Sequence, residues 1–443
     1  MNSTGIYEII EMRGSGLHGP PILTPALQDR APNLSQQSPR IAFMRWSDDR
    51  AAVSGMPWNM SVSLESAGCD VEDVLLDCMP SNLRRAPLPT MIRTNRIRGI
   101  LTSARRITRA FIPDRTYRAS IAEMEKFAEV ASSKIESGVF DVVFAANMSG
   151  VVSMIDTSLP IVYATDATAM LANEVYPSFA SRRRGEREAS LRFETGAVDR
   201  ASLTLVASEY CRASMFEDHG ADPSRVHVVP LGANLVPEPG ATFDDVSVPT
   251  RDGGIEIVVV AADPERKRVS LCADVAEELQ KRGWKARLHY VGPRHEICGR
   301  RVVEWAGQLD HRVESDRARH REILRSAHVA MLPSVSEMYG IAPIESAAFG
   351  RPSIVSAVGG LTTVVQDGVT GRCLPVDTPV AGWTDAIESM AIPTDRYRAY
   401  STAALRRHEA ELNWGAWGRR VRTFIERLLA DSGKDEDAVG RQP

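Results

Sequence analysis

Two glutamates eight positions apart flank a glycine in the run Ser336-Glu337-Met-Tyr-Gly340-Ile-Ala-Pro343-Ile-Glu345. Carboxylates accept hydrogen bonds from hydroxyls but repel phosphates. Gly340 permits a positive φ or a close backbone approach. Pro343 suits the first turn of a helix, and Gly350 followed by Pro352 suits its end. The apolar run His328–Pro333 comes just before, so the segment reads as strand, loop, helix. The amides of Gly340, Ile341 and Ala342 then stand at a helix N-terminus, where free N–H groups and the helix dipole favour an anion such as a diphosphate. A ligand with phosphate in the middle and a hydroxylated ring on either side satisfies all these groups. The competing reading is that both glutamates only cap or solvate the helix.

Other residues could serve the same chemistry. Arg266 and Lys267 follow the apolar strand Ile255–Ala261, where adjacent cations would neutralise a departing diphosphate; a solvated charge run is the alternative. Asp166 ends another apolar run, Pro160–Thr165. It could accept a proton from an attacking hydroxyl, or simply cap the next helix. Gly55 opens a helix after the first strand, with Asn59 in its first turns. The nine histidines show no HExxH or paired spacing, His219 and His227 reading as surface or strand residues. No metal site and no bound cofactor are therefore expected. Between Arg93 and Arg118 stand eight arginines and one acid, Asp114, over an apolar stripe of helical period. Such a helix can lie on anionic lipid or pack its stripe on the core.

These residues need rigid elements to hold them. A chain of 443 residues suggests two large domains. Residues 1–38, rich in Pro, Gly, Ser, Gln and Asn, read as a disordered extension. Apolar runs at Arg40–Trp46, Asp141–Ala146, Pro160–Thr165, Leu203–Ser208 and Val226–Pro230 alternate with helical stretches such as Ser120–Glu136 and Glu188–Ala201. That alternation predicts a first domain over 39–236 with a parallel sheet. A Pro- and acid-rich linker follows over 237–250. A second series, Ile255–Ala261, Arg287–Gly292, His328–Pro333 and Pro352–Ala357, predicts a second domain over 251–413. A helix over 414–430 is expected to pack back on the first domain, and 431–443 reads as a frayed polar tail. The fold class is α/β, two doubly wound Rossmann-like domains facing a cleft, with ligands at the carboxyl ends of the strands.

Composition excludes several classes. A net charge of −4 and a pI near 6.2 give no general attraction to nucleic acid. The six cysteines form no CxxC pair and read as reduced thiols. No apolar run approaches the ~20 residues that span a bilayer, and no leader peptide is visible. A cytoplasmic protein is expected, at the inner face of the membrane if 93–118 binds lipid.

The pattern Glu337, Tyr339, Gly340, Glu345, with the downstream Val358-Gly-Gly-Leu-Thr-Thr-Val-Val-Gln-Asp-Gly-Val-Thr-Gly-Arg, resembles the signature of family 4 retaining glycosyltransferases, glycosyl transferases group 1. The resemblance implies the GT-B architecture. It also implies transfer of a sugar from a nucleotide-diphosphate sugar to a saccharide or other hydroxyl acceptor, with retention of configuration and no metal. On that likeness Glu337 would hold the donor sugar's hydroxyls, Glu345 the ribose, and the 340–342 amides the diphosphate with Arg266 and Lys267. Gly55 would lie in the small-residue loop that approaches the donor phosphates. Arg268 stands where the family usually has glycine, so a different local turn is expected there. Many relatives have a histidine near the position of Asp166. The alternatives are a sugar-nucleotide-binding protein without transfer activity, or an epimerase or phosphorylase of the same architecture.

Overall fold

Runs rich in Val, Ile and Ala, such as VVFAA at Val142–Ala146 and IVYAT at Ile161–Thr165, are buried along their whole length. Strands covered by helices on both faces require this. The computed structural model describes residues 38–46, 55–76, 115–238, 240 and 247–439, apart from the side chains of 115, 177 and 432–439. The first sheet holds β1 (Arg40–Arg45), β2 (Asp70–Leu75), β3 (Val142–Ala146), β4 (Ile161–Thr165), β5 (Leu203–Val206) and β6 (Val226–Val228) in the order β2-β1-β3-β4-β5-β6. The second holds β7 (Ile255–Val260), β8 (Ala286–Val291), β9 (Val303–Gly307), β10 (Val329–Leu332), β11 (Ser353–Ser356) and β12 (Gly371–Leu374) in the order β12-β11-β10-β7-β8-β9. Neighbouring strands in both sheets run parallel.

The strand order reverses between β1 and β3 in one sheet and between β7 and β10 in the other. Outside the carboxyl ends of the strands, such reversals leave a crevice. All nine apolar runs form strands. The three strands without an apolar run, β2, β9 and β12, each lie at a sheet edge. An edge strand has one unpaired flank facing water and tolerates charge, as in the DVEDVL of β2.

The chain crosses between the domains twice, and the crossings touch. Ala233 N donates to Leu412 O at 3.2 Å. Gly232 has no space for a Cβ because the backbone of Asn413 and Trp414 lies against it. The helix Trp414–Val439 then returns to the first domain, as expected of 414–430. The edge of the Trp417 ring meets Phe144 of β3 at 6.0 Å, and Gly418 sits on Ser63 of the helix Met56–Ser66. A single apolar cluster therefore runs from Ile41 and Phe43 through Leu231 and Leu412 to Val258 and Leu332, burying both inner sheet faces together.

Two expectations need correction. The final helix continues to Val439, so 431–439 is helical rather than frayed. His219 is buried, its Nδ1 3.1 Å from Thr195 Oγ1. Arg268 takes φ 49°, the left-handed conformation glycine favours, and Nη1 donates to Val376 O at 2.5 Å. The extension over 1–37 and the basic stretch over 93–114 lie outside the described residues, which continue with the helix Arg115–Glu136. No helix among the described residues is long and apolar enough to cross a membrane.

Candidate active site

The turn after β7 and the loop after β10 meet at the reversal of the second sheet. Arg266 N donates to Asp263 Oδ1 at 3.1 Å, and Val335 N donates to Arg266 O at 2.9 Å. These bonds fix the turn against the loop. Arg266 Nη1 donates to Ser336 O at 2.6 Å and to Glu337 Oε2 at 3.0 Å. Lys267 Nζ lies 4.0 Å from the same carboxylate oxygen and donates to Val260 O at 3.3 Å. Both cations and Glu337 are largely out of solvent, where charges persist only if paired. Burial pulls the Lys267 pKa down, while Glu337 pulls it back up.

Gly340 caps the helix Ile341–Ala348 at φ 105° and supplies no side chain to bond the first amides. Those N–H groups stand at the positive end of the helix dipole. Behind the loop, Gly359 and Gly360 permit a close backbone approach: a Cβ at Gly359 would strike Glu337 O, and one at Gly360 would strike Met338 O. Gly360 N donates to Glu337 O at 3.3 Å. Tyr339 is turned away from the crevice, its hydroxyl donating to Leu231 O at 3.0 Å in the domain crossing. Glu345 is buried inside the same helix. Burial pushes its pKa up to about 8, against the attraction of Lys267 and a hydrogen bond from the Leu235 N–H. Burial thus favours the neutral acid in the resting site.

The first sheet supplies the opposite wall. Asp166 follows β4, and Asn147 Nδ2 approaches its Oδ1 at 3.5 Å. Burial raises the Asp166 pKa and the charge of Glu337 adds to this, opposed by bonds from its own backbone and Asn147. Asp166 does not cap the next helix: Thr168 does, its side chain accepting from Leu171 N. Tyr176, just past that helix, sets its ring 5.5 Å from the guanidinium of Arg266. Met338 packs with Leu171 and Val175, next to Tyr176 and Tyr210, and Glu209 N donates to Thr363 Oγ1 at 3.2 Å. The two walls are thus in direct contact.

Arg266, Lys267, Glu337, Gly340, Ile341, Ala342 and Glu345 are gathered on one wall, with Asp166 facing them. Gly55 belongs to a neighbouring network. It caps the helix Met56–Ser66 at φ 77°, and its carbonyl accepts from Asn59 Nδ2 at 2.9 Å. Asn59 also donates to Asn234 Oδ1 at 3.0 Å, which accepts from Trp414 Nε1 at 3.2 Å. Gly55 and the turn Leu231–Asn234 therefore brace the domain crossing. Tyr176 and Asn147 were not singled out by sequence. Nothing local marks Tyr176. Asn147 had one usable signal, an asparagine ending a strand, since asparagine tolerates left-handed backbone. Among the described residues no cluster of His, Cys, Asp and Glu could hold a metal ion.

Residues 254–391, most of the second domain, match the family described as Glycosyl transferases group 1. A D-inositol 3-phosphate glycosyltransferase of Nocardiopsis dassonvillei is 28% identical over 284 residues, spanning 61% of this chain and 65% of that protein. One of the same description from Kribbella flavida is 28% identical over 323 residues, or 67% of this chain and 74% of that protein. The chain thus matches about two thirds of the length of these relatives. Among solved structures, sucrose-phosphate synthase of Thermosynechococcus elongatus aligns over 89% of this chain and all of its own, with TM-score 0.60 and 19% identity. HepE of Anabaena, solved with UDP and glucose, aligns over 90% of this chain and 100% of its own, with TM-score 0.53 and 13% identity. At these identities the likeness is one of fold, the GT-B architecture.

Proposed function

We propose that this chain is a family 4 glycosyltransferase that moves a sugar from a nucleotide-diphosphate sugar to an acceptor hydroxyl with retention of configuration. The observation that carries the reading is the wall built by Arg266, Lys267, Glu337 and Glu345 beside the amides of Gly340, Ile341 and Ala342. Two cations and a helix N-terminus suit a diphosphate; a carboxyl on either side suits the hydroxyls of a sugar and of a ribose. The group 1 match over 254–391 and the glycosyltransferase descriptions of the relatives support it.

In this reading Glu337 lets go of Arg266 when the donor binds, and the diphosphate takes its place on Arg266 and Lys267. The bond from the anomeric carbon to the diphosphate oxygen breaks, its electron pair leaving on the diphosphate. The acceptor oxygen bonds to the same face of that carbon. Its proton passes to the departing diphosphate oxygen, with Asp166 on the opposite wall as a second acceptor. Catalysis rests on positioning and on charge stabilisation of the leaving group.

A panel of nucleotide sugars, each assayed for hydrolysis and for transfer to sugars and polyols, tests the proposal. Glu337→Gln should retain nucleotide binding and lose turnover by about 100-fold or more, the scale of a contact made in the transition state. Parent-level turnover by that variant removes Glu337 from the mechanism. Nucleotide binding without turnover across the panel selects the binding-protein reading.

A further inference from the structure

Asn147 is one of two non-glycine residues with positive φ among the described residues, at φ 55°. Asparagine is one of the few residue types that adopt this conformation readily. Here its N–H donates to Ala164 O at 2.8 Å, tying the end of β3 to the end of β4. The side-chain amide is oriented by Asp166, toward which Nδ2 is turned at 3.5 Å. The opposite flip would set an amide oxygen against a carboxylate oxygen. In the observed orientation Oδ1 is buried and accepts no hydrogen bond from the described residues. A buried carbonyl left without a donor costs about 1–3 kcal/mol.

The position gives that unmet acceptor a meaning. Asn147 follows β3, and β1/β3 is where the strand order of the first sheet reverses. Arg266 and Glu337 occupy the matching place, β7/β10, in the second sheet. Asp166, next to Asn147, senses the charge of Glu337 on the facing wall. An amide oxygen with no donor among the described residues, at the ligand-binding point of a doubly wound sheet, is suited to a hydroxyl. An anionic group would meet Asp166 and Glu337 instead.

We propose that Asn147 is a substrate-binding residue of this cleft: Oδ1 accepts a hydrogen bond from a sugar or polyol hydroxyl while Nδ2 steadies Asp166. The proposal deepens the transferase reading and rests on it for the identity of the cleft. The hydroxyl belongs either to the transferred sugar or to the acceptor, both having the same chemistry.

Asn147→Gly is the discriminating variant, because glycine adopts φ 55° without strain and the fold should persist. Melting with UDP, GDP and ADP reports the diphosphate half-site alone, and the variant should show the same shift as the parent. With a nucleotide sugar that the parent turns over, Asn147→Gly should lose about tenfold in kcat/KM. Loss in donor hydrolysis assigns the hydroxyl to the transferred sugar; loss confined to the acceptor KM assigns it to the acceptor. Asn147→Asp keeps an acceptor oxygen, so it should fall less, and it should move the acid limb of the pH–rate profile upward by setting a second carboxylate beside Asp166. Parent kcat/KM in Asn147→Gly overturns the inference and leaves Asn147 only its backbone role. Failure of every nucleotide to shift the parent counts instead against the transferase reading. A crystal of the parent soaked in glucose then still decides the site: a hydroxyl about 2.7–3.0 Å from Oδ1 is expected, and its absence is contrary.

Discussion

Replacing Glu345 by glutamine should flatten the pH dependence of stability between about pH 4.5 and 8. In the folded chain, burial lifts this carboxyl from its ordinary 4.5 to about 8. Below pH 4.5 both folded and unfolded chains hold the proton and no penalty exists. As pH rises above 4.5 the unfolded chain releases its proton first, so stability falls with each unit and levels off only above about 8. At ~1.4 kcal/mol per unit the full loss is about 3–5 kcal/mol, a large part of a typical folding free energy. Glu194, raised by burial to about 7, adds a loss of the same sign, but it is present in both proteins and cancels from their difference. Urea unfolding of parent and Glu345→Gln from pH 5 to 9 measures that difference directly. The variant should gain on the parent steadily with pH; parallel curves would refute the burial argument. Ligand binding gives an independent check. If ribose hydroxyls require the carboxylate, only about a tenth of the resting protein is competent at pH 7. Donor affinity should then rise about tenfold from pH 7 to 9 with release of a proton, and Glu345→Gln should lose that dependence.

Two further substitutions probe the walls. Tyr176→Ala removes the ring lying 5.5 Å from the Arg266 guanidinium and should raise the donor KM several-fold, as expected of a cation–π contact of about 1 kcal/mol. Tyr176→Phe keeps the ring and should remain close to the parent in steady-state kinetics. Gly359→Ala forces a Cβ into Glu337 O at a left-handed position of φ 52°. A melt should show more than about 2 kcal/mol of lost stability, with loss of donor binding, because the loop carrying Glu337 must move.

How much of this was legible depends on the range over which the residues communicate. Each central strand is an apolar run that no neighbour can alter, so all nine such runs formed strands and the two-sheet architecture followed. The edge strands β2, β9 and β12 carry no such run: β2 and β9 leave charged residues exposed, and β12 has two positions that are only partly buried. Glu337, Gly340 and Glu345 lie in one strand–loop–helix unit, so their placement at one helix N-terminus was legible from local pattern. At Arg268 the turn is left-handed although the residue is not glycine, and its guanidinium donates to the Val376 carbonyl.

The sequence by itself determined the two sheets, the order of their elements and the strand–loop–helix unit carrying Glu337, Gly340 and Glu345, because local periodicity and turn chemistry set those. The tertiary structure alone decided that Arg266 and Lys267 join that unit and what faces the wall they make. Asn147, Asp166 and Tyr176 come from three separate segments, and Thr168 rather than Asp166 caps the helix. Only domain packing sets the Tyr176 ring on Arg266 and the charge of Glu337 beside Asp166. Protonation is biased there too: folding takes Glu345 out of water, which raises its pKa and favours the neutral acid.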